Sequence, residues 1–135
     1  MNTIYESKYL KVSHHCTQRM FHYVFSETTW DMTTDEYRQL LEDYINIIRK
    51  YRPKRILGDM VDFNFVISPE LQEWIDQHVF TAYAEIGFEK IAILLSTQYI
   101  TNLSIQQTME ENNMSTFESE YFNDTDAARA WLLAA

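Results

Sequence analysis

The chain has 135 residues, enough for one domain and too few for two ordinary ones, so a single domain over residues 1–135 is expected. Its net charge of −9 disfavours nucleic acid and anionic membrane surfaces as partners. A lone cysteine, Cys16, excludes an internal disulfide and favours a reducing, cytoplasmic setting, and nothing approaches the ~20 consecutive apolar residues that span a bilayer.

Charge is unevenly placed. Residues 1–55 hold nine Lys/Arg against seven Asp/Glu, a net of +2, whereas residues 56–135 hold two against thirteen, a net of −11. An acidic surface of this kind suits solubility or a basic protein partner. With 46% hydrophobic residues the chain can build a core without a metal or disulfide framework. Met1–Lys11 has no continuous apolar run, so no secretory leader is expected.

The N-terminal third alternates. Leu10, Val12, His14 and Cys16 share one side of a strand, and Met20, His22 and Val24 share one side of another. A turn at Thr17–Arg19 between them predicts an antiparallel pair. Thr33, with Glu36 three residues on, has the form of a capping box. Tyr37, Leu40, Leu41, Tyr44, Ile45, Ile48 and Tyr51 then recur at helical spacing until Pro53.

A buried strand is expected at Arg55–Asp59. Ser68 as N-cap, Pro69 at the first helical position and Glu70 in the first turn start a second helix, which Gly87 ends. Its apolar stripe runs through Leu71, Trp74, Ile75, Val79, Ala82, Tyr83 and Ile86. Lys90–Leu95 reads as a further strand, and Ile100–Asn113 as a weaker helix with Ile100, Leu103, Ile105 and Met109 as its apolar positions. Phe117–Phe122 reads as a short strand, and Asn123 or Asp124 caps a last helix that buries Ala127, Ala128, Trp131 and Leu132. The order β-β-α-β-α-β-α-β-α predicts an α/β fold: a single mixed sheet with helices packed on it.

This order of elements resembles the STAS domain and the sporulation anti-sigma-factor antagonists. Two segments carry the resemblance: ILGDMVDFNFVISPELQEWI, similar to the family's central strand, loop and following helix, and FESEYFNDTDAARAWLLA, similar to its closing strand and helix. The resemblance implies a STAS-like fold and a non-enzymatic regulatory or protein-interaction role. In the antagonist branch a serine at the start of the central helix is phosphorylated by a partner kinase, and Ser68 takes that position. Ile67 stands where that branch has aspartate, and Pro69–Glu70 replace its glycine-containing turn. Related folds hold small apolar or lipid-like ligands, which gives a carrier or sensor as the alternative function.

The residues point to one region for binding. Asp59, Asp62, Phe63, Phe65 and Ser68 lie on the loop and helix start after the central strand, where open α/β sheets place ligands. Phe63 and Phe65 could form an aromatic lip or simply complete the core. Ser68 is an N-cap by its own pattern and a phosphoacceptor by resemblance. His14, His15, Cys16 and His22 have metal-ligand chemistry but no ligand spacing, so neither metal nor cofactor is expected. No catalytic constellation and no phosphate-binding glycine loop is present, so the chain reads as a non-enzyme. The expected partner is a protein, a basic one by charge, or a second copy in a homodimer. Arg49, Lys50, Arg52, Lys54 and Arg55 are explained by the negative end of a helix, or by a local anion site.

Overall fold

The computed structural model describes residues 2–110 and 117–134, and in them six strands pair in the order in which they occur in the chain. They are β1 (Asn2–Glu6), β2 (Leu10–His15), β3 (Met20–Phe25), β4 (Arg55–Asp59), β5 (Lys90–Leu94) and β6 (Glu118–Phe122). The first three are antiparallel neighbours. From β3 onward each strand runs parallel to the next, with a helical crossover between them.

The mixed sheet and its helices match the expected fold class, with one element more than the periodicity showed. β1 is the addition, and a bulge between Thr3 and Tyr5 breaks the alternation that would have marked it. Tyr5 still faces the core side, where its hydroxyl donates to Asp43 at 3.1 Å.

One sheet face carries Leu10, Val12, Phe21, Tyr23, Phe25, Ile56, Ile91 and Ile93. It is covered by α1 (Thr34–Tyr51), by the central helix and by α4 (Tyr99–Glu110). The capping box at the start of α1 forms in both directions: Glu36 N–H donates to Thr33 Oγ1 at 3.1 Å and Thr33 N–H donates to Glu36 Oε1 at 2.9 Å. The end of α4 expected over residues 111–113 lies outside the described residues.

The central helix is continuous but not uniform. α2 (Pro69–Ile75) passes through a π-turn (Asp76–Phe80) into α3 (Thr81–Glu85). The wider turn shifts the helical phase. Phe80, which an unbroken α-helix would turn away from the stripe of Leu71 and Ile75, is therefore buried. Trp74, expected in the core, is only half-buried and stacks on His78 with ring centroids 4.4 Å apart.

The other face is covered on one side only. α5 (Thr125–Leu133), capped by Asp124, lays Ala128 and Leu132 on Leu57, Ala92, Leu94 and Met20. Gly58 is required by close approach: a Cβ there would lie 2.5 Å from the Tyr23 ring, which crosses over it.

Candidate functional site

The C-terminal ends of β3, β4 and β5 form a rim built from three loops. β4 ends at Asp59, whose Oδ1 accepts from Val61 N–H at 3.1 Å and so turns the chain. Met60 N–H donates to Leu94 O at 3.1 Å, which fastens the turn to β5. The loop is then tied on both sides. Asn64 N–H donates to Thr29 Oγ1 at 2.8 Å on the β3–α1 connection, and Ser96 Oγ donates to Phe63 O at 2.8 Å on the β5–α4 connection. Ile67 N–H donates to the buried Ser104 Oγ of α4 at 3.1 Å.

Within this frame the five residues marked by sequence have different fates. Phe63 is fully buried, with ring centroids 4.6 Å from Phe25 and 6.1 Å from Tyr37. It completes the core and presents no side chain to a partner, because the short turn at Met60–Phe63 directs it onto the sheet. Phe65 is half-buried and packs on Tyr37 at 4.8 Å. Asp59 is half-buried and serves its own turn, whereas Asp62 is exposed. Ser68 Oγ accepts from Leu71 N–H at 3.3 Å as the helix N-cap. The loop therefore brings Asp59, Asp62 and Ser68 to one rim without converging them on a point.

What occupies the surface of that rim is a set of apolar side chains the sequence reading did not select. Trp30, Val61, Val66, Tyr99, Ile100 and Leu103 are six of the seven exposed large apolar residues among those described, and all lie on these three connections. Tyr99 and Trp30 are the most open, at 78% and 69% exposure. Of the four apolar positions expected for α4, Ile105 is buried and Met109 packs against the core, whereas Ile100 and Leu103 are exposed. The helix buries Thr101, Ser104, Ile105 and Thr108, spaced i, i+3, i+4, i+7. Two of its buried hydroxyls bond within the helix: Ser104 Oγ donates to Thr101 O at 2.8 Å and Thr108 Oγ1 donates to Ser104 O at 2.7 Å. A helical stripe was present in the sequence, but in hydroxyls.

Beneath the rim lies a cavity of about 70 Å³ in the core. Tyr23, Tyr37, Tyr44 and Tyr83 reach it, among side chains such as Ile93 and Ile105. Tyr44 and Tyr83 share a hydrogen bond at 2.9 Å, and Tyr23 Oη donates to Met60 Sδ at 3.8 Å. Burial pushes the pKa of all four phenols up, so they stay protonated.

The histidines do not form a ligand set. Ser13 pairs with His22 and His15 with Met20, which puts His15 and His22 on the α5 side of the sheet, while His14 packs against Phe21 and Tyr51 on the opposite side. Burial lowers the pKa of all three, and Arg129 on α5 lowers those of His15 and His22 further. Cys16 is exposed. Among the described residues no group of three His, Cys, Asp or Glu side chains is arranged to hold a metal, and no helix is long and apolar enough to cross a membrane.

Comparison with curated proteins and with solved structures finds no significant match. Comparison with protein families does: the SpoIIAA-like family matches residues 24–133, from within β3 to the end of α5. That match takes in the end of β3, all of β4, β5 and β6, the rim and every helix described. It agrees with the mixed six-stranded sheet and with the two segments that resemble anti-sigma-factor antagonists. SpoIIAA-like domains are generally regulatory, protein-interacting and non-enzymatic, and this chain belongs to the SpoIIAA-like family.

Proposed function

We propose that this chain is a single-domain, non-enzymatic regulatory module that docks a protein partner on the rim at the C-terminal ends of β3, β4 and β5. One observation carries the reading: six of the seven exposed large apolar side chains among the described residues are gathered there, on three connections held together by hydrogen bonds. Clustered apolar surface on an otherwise polar protein marks an interaction site. The same connections, residues 26–33, 60–68 and 95–103, contain no Lys or Arg, while Glu27, Asp31, Asp62 and, just beyond, Glu70 border the apolar patch. The partner that fits is a protein segment with an apolar face flanked by Lys or Arg. Ser68 stands at the edge of this patch, where a phosphate would add negative charge beside Glu70.

The test is site-specific photocrosslinking from position 99, with position 119 on β6 as the remote control. The reading expects one defined protein partner from position 99, lost in Val66→Ser and Ile100→Ser, with none from 119. These side chains are exposed, so each variant should keep its stability within about 0.5 kcal/mol. A dimer of the isolated chain that crosslinks to itself from position 99 makes the occupant a second copy and defeats the partner reading.

The alternative, a carrier of a small apolar ligand, is favoured by the tyrosine-lined cavity. Its size counts against it. An engineered cavity of about 150 Å³ accommodates benzene, and the volume here is about 70 Å³. A lipid-like ligand would need α4, with its hydroxyl-bearing buried face, to move outward.

A further inference from the structure

The opposite end of the parallel strands carries a feature that neither the fold nor the docking rim accounts for. A cleft of about 430 Å³ opens between the β2–β3 turn and the C-terminal end of α1, lined by His14, Cys16, Arg19, Tyr51, Arg52 and Lys54, with Ile86. Small-molecule sites have volumes of about 300–1,000 Å³. The lining includes three basic side chains and no carboxylate, in a chain whose net charge is −9.

The helix end explains some of the nearby cations. Arg49 pairs with Glu85 at 3.3 Å, and Lys54 Nζ donates to Gly87 O at 3.2 Å. It does not explain Arg19, which belongs to a different element. Nor does it explain the guanidiniums of Arg19 and Arg52, which no hydrogen bond or ion pair engages among the described residues. The walls are fastened together, because Arg19 O accepts from Lys54 N–H at 2.8 Å and from Arg55 N–H at 3.2 Å. Among the described residues, Arg19 and Arg52 are also the two non-glycine residues with positive φ, both at 51°. Both occupy a conformation that glycine adopts with least strain, and both border this cleft.

We infer that this cleft is a binding site for a small soluble molecule bearing a phosphate group. Two free guanidinium forks match phosphate oxygens in a bidentate manner, and Lys54 adds a point charge. Tyr51 and Ile86 give the remainder of the ligand an apolar wall. Surrounding acidity argues for a small ligand over a polyanion. A cluster this local is felt within a Debye length of about 8 Å, whereas an extended polyanion would also meet the −11 of residues 56–135.

The glycine-like backbone at both arginines permits a clean experiment. Arg19→Gly and Arg52→Gly remove a cation while placing in each left-handed position the residue best suited to it, so thermal stability should be kept. Inorganic phosphate and glycerol phosphate are titrated at low ionic strength, read by amide chemical shifts. The inference expects saturable shifts at residues 14–19 and 51–54, at least tenfold weaker binding in each glycine variant, and unchanged binding in Arg49→Gln. Shifts that do not saturate, that spread over the surface, or that survive both glycine substitutions overturn it. Vesicles containing a phosphoinositide are the last arm. If they bind the chain through the same arginines while the free phosphates do not, the ligand is a lipid headgroup and the soluble assignment fails.

Discussion

The Tyr44 hydroxyl meets the Tyr83 hydroxyl at 2.9 Å, and both phenols are buried in the core. The bond joins α1 to α3 across the cavity. Tyr44→Phe or Tyr83→Phe leaves the remaining hydroxyl buried without this partner, a loss of about 1–3 kcal/mol. The double variant should cost less than the sum of the two, since neither hydroxyl is then stranded. Urea denaturation of the three variants checks this, and strict additivity would show that the hydroxyls do not depend on one another.

Gly58 and Tyr23 are in a similarly exclusive relation. The Cβ of Gly58→Ala would fall 2.5 Å from the Tyr23 ring, which is locked in the core. Overpacking of this kind costs about 1–3 kcal/mol. Gly58→Ala combined with Tyr23→Val should recover part of that loss, as measured by thermal unfolding.

The two phenylalanines of the rim loop separate by burial. Phe63→Ser should lose several kcal/mol, because it empties a fully buried aromatic site and adds a hydroxyl. Phe65→Ser, half-exposed over Tyr37, should lose distinctly less. Equal losses in calorimetry would mean that Phe65 is held as tightly as Phe63.

Ser68→Ala removes one acceptor from the start of the central helix and should lower stability by roughly 1 kcal/mol without preventing folding. Mass spectrometry of the chain purified from its host reports separately on phosphate at Ser68. A stoichiometric phosphopeptide would make this residue a switch as well as a cap.

Acid should weaken the fold earlier than its carboxylates require. His14, His15 and His22 titrate below the ordinary 6.5 in the folded chain, so the unfolded chain binds more protons in that interval. Their contribution is complete above pH 6.5 and is lost as pH falls toward the depressed folded values. The denaturant midpoint should therefore drop between pH 7.5 and 5.5, and drop less in His22→Asn. An unchanged midpoint over that interval would rule the histidines out as the cause.

Sequence periodicity was enough for most of this architecture because strong signals coincided with strong physics. The Thr33–Glu36 box, the Ser68–Pro69 start and the Gly87 stop each reappear as an observed cap or, for Gly87, a φ of +68°. β1 was hidden because its bulge at Thr3/Tyr5 places successive residues out of step. Trp74 stands half outside and Phe80, absent from the expected stripe, goes inside because the π-turn Asp76–Phe80 shifts the helical phase, and no residue type announces one. On α4, Ile100 and Leu103 read as core beside Ile105 and Met109, but they stay outside, while Thr101, Ser104 and Thr108 go inside, the hydroxyls of Ser104 and Thr108 bonded to carbonyls one turn back. Half of the rim was hidden for the same reason, because the exposure of Tyr99, Ile100 and Leu103 depends on which side of α4 is turned inward. Arg52 stood out as part of a basic cluster, but the left-handed backbone at Arg19 and Arg52 was hidden, since such backbone is read from sequence through glycine.

Strand pairing in strict chain order has a consequence for the protein as it is being made. A polypeptide leaving the ribosome at about 5–20 residues per second offers each new strand an already-formed neighbour, so no segment of the sheet has to wait for a distant one. The exception is α5, which turns back from β6 to reach β5 and β4. Until those last nine helical residues emerge, Leu57, Ala92 and Leu94 form an uncovered apolar strip on a nearly finished sheet. A message cut short before residue 125 would therefore yield a sheet with its pairing intact and its surface wrong, a species fit for chaperones or proteases.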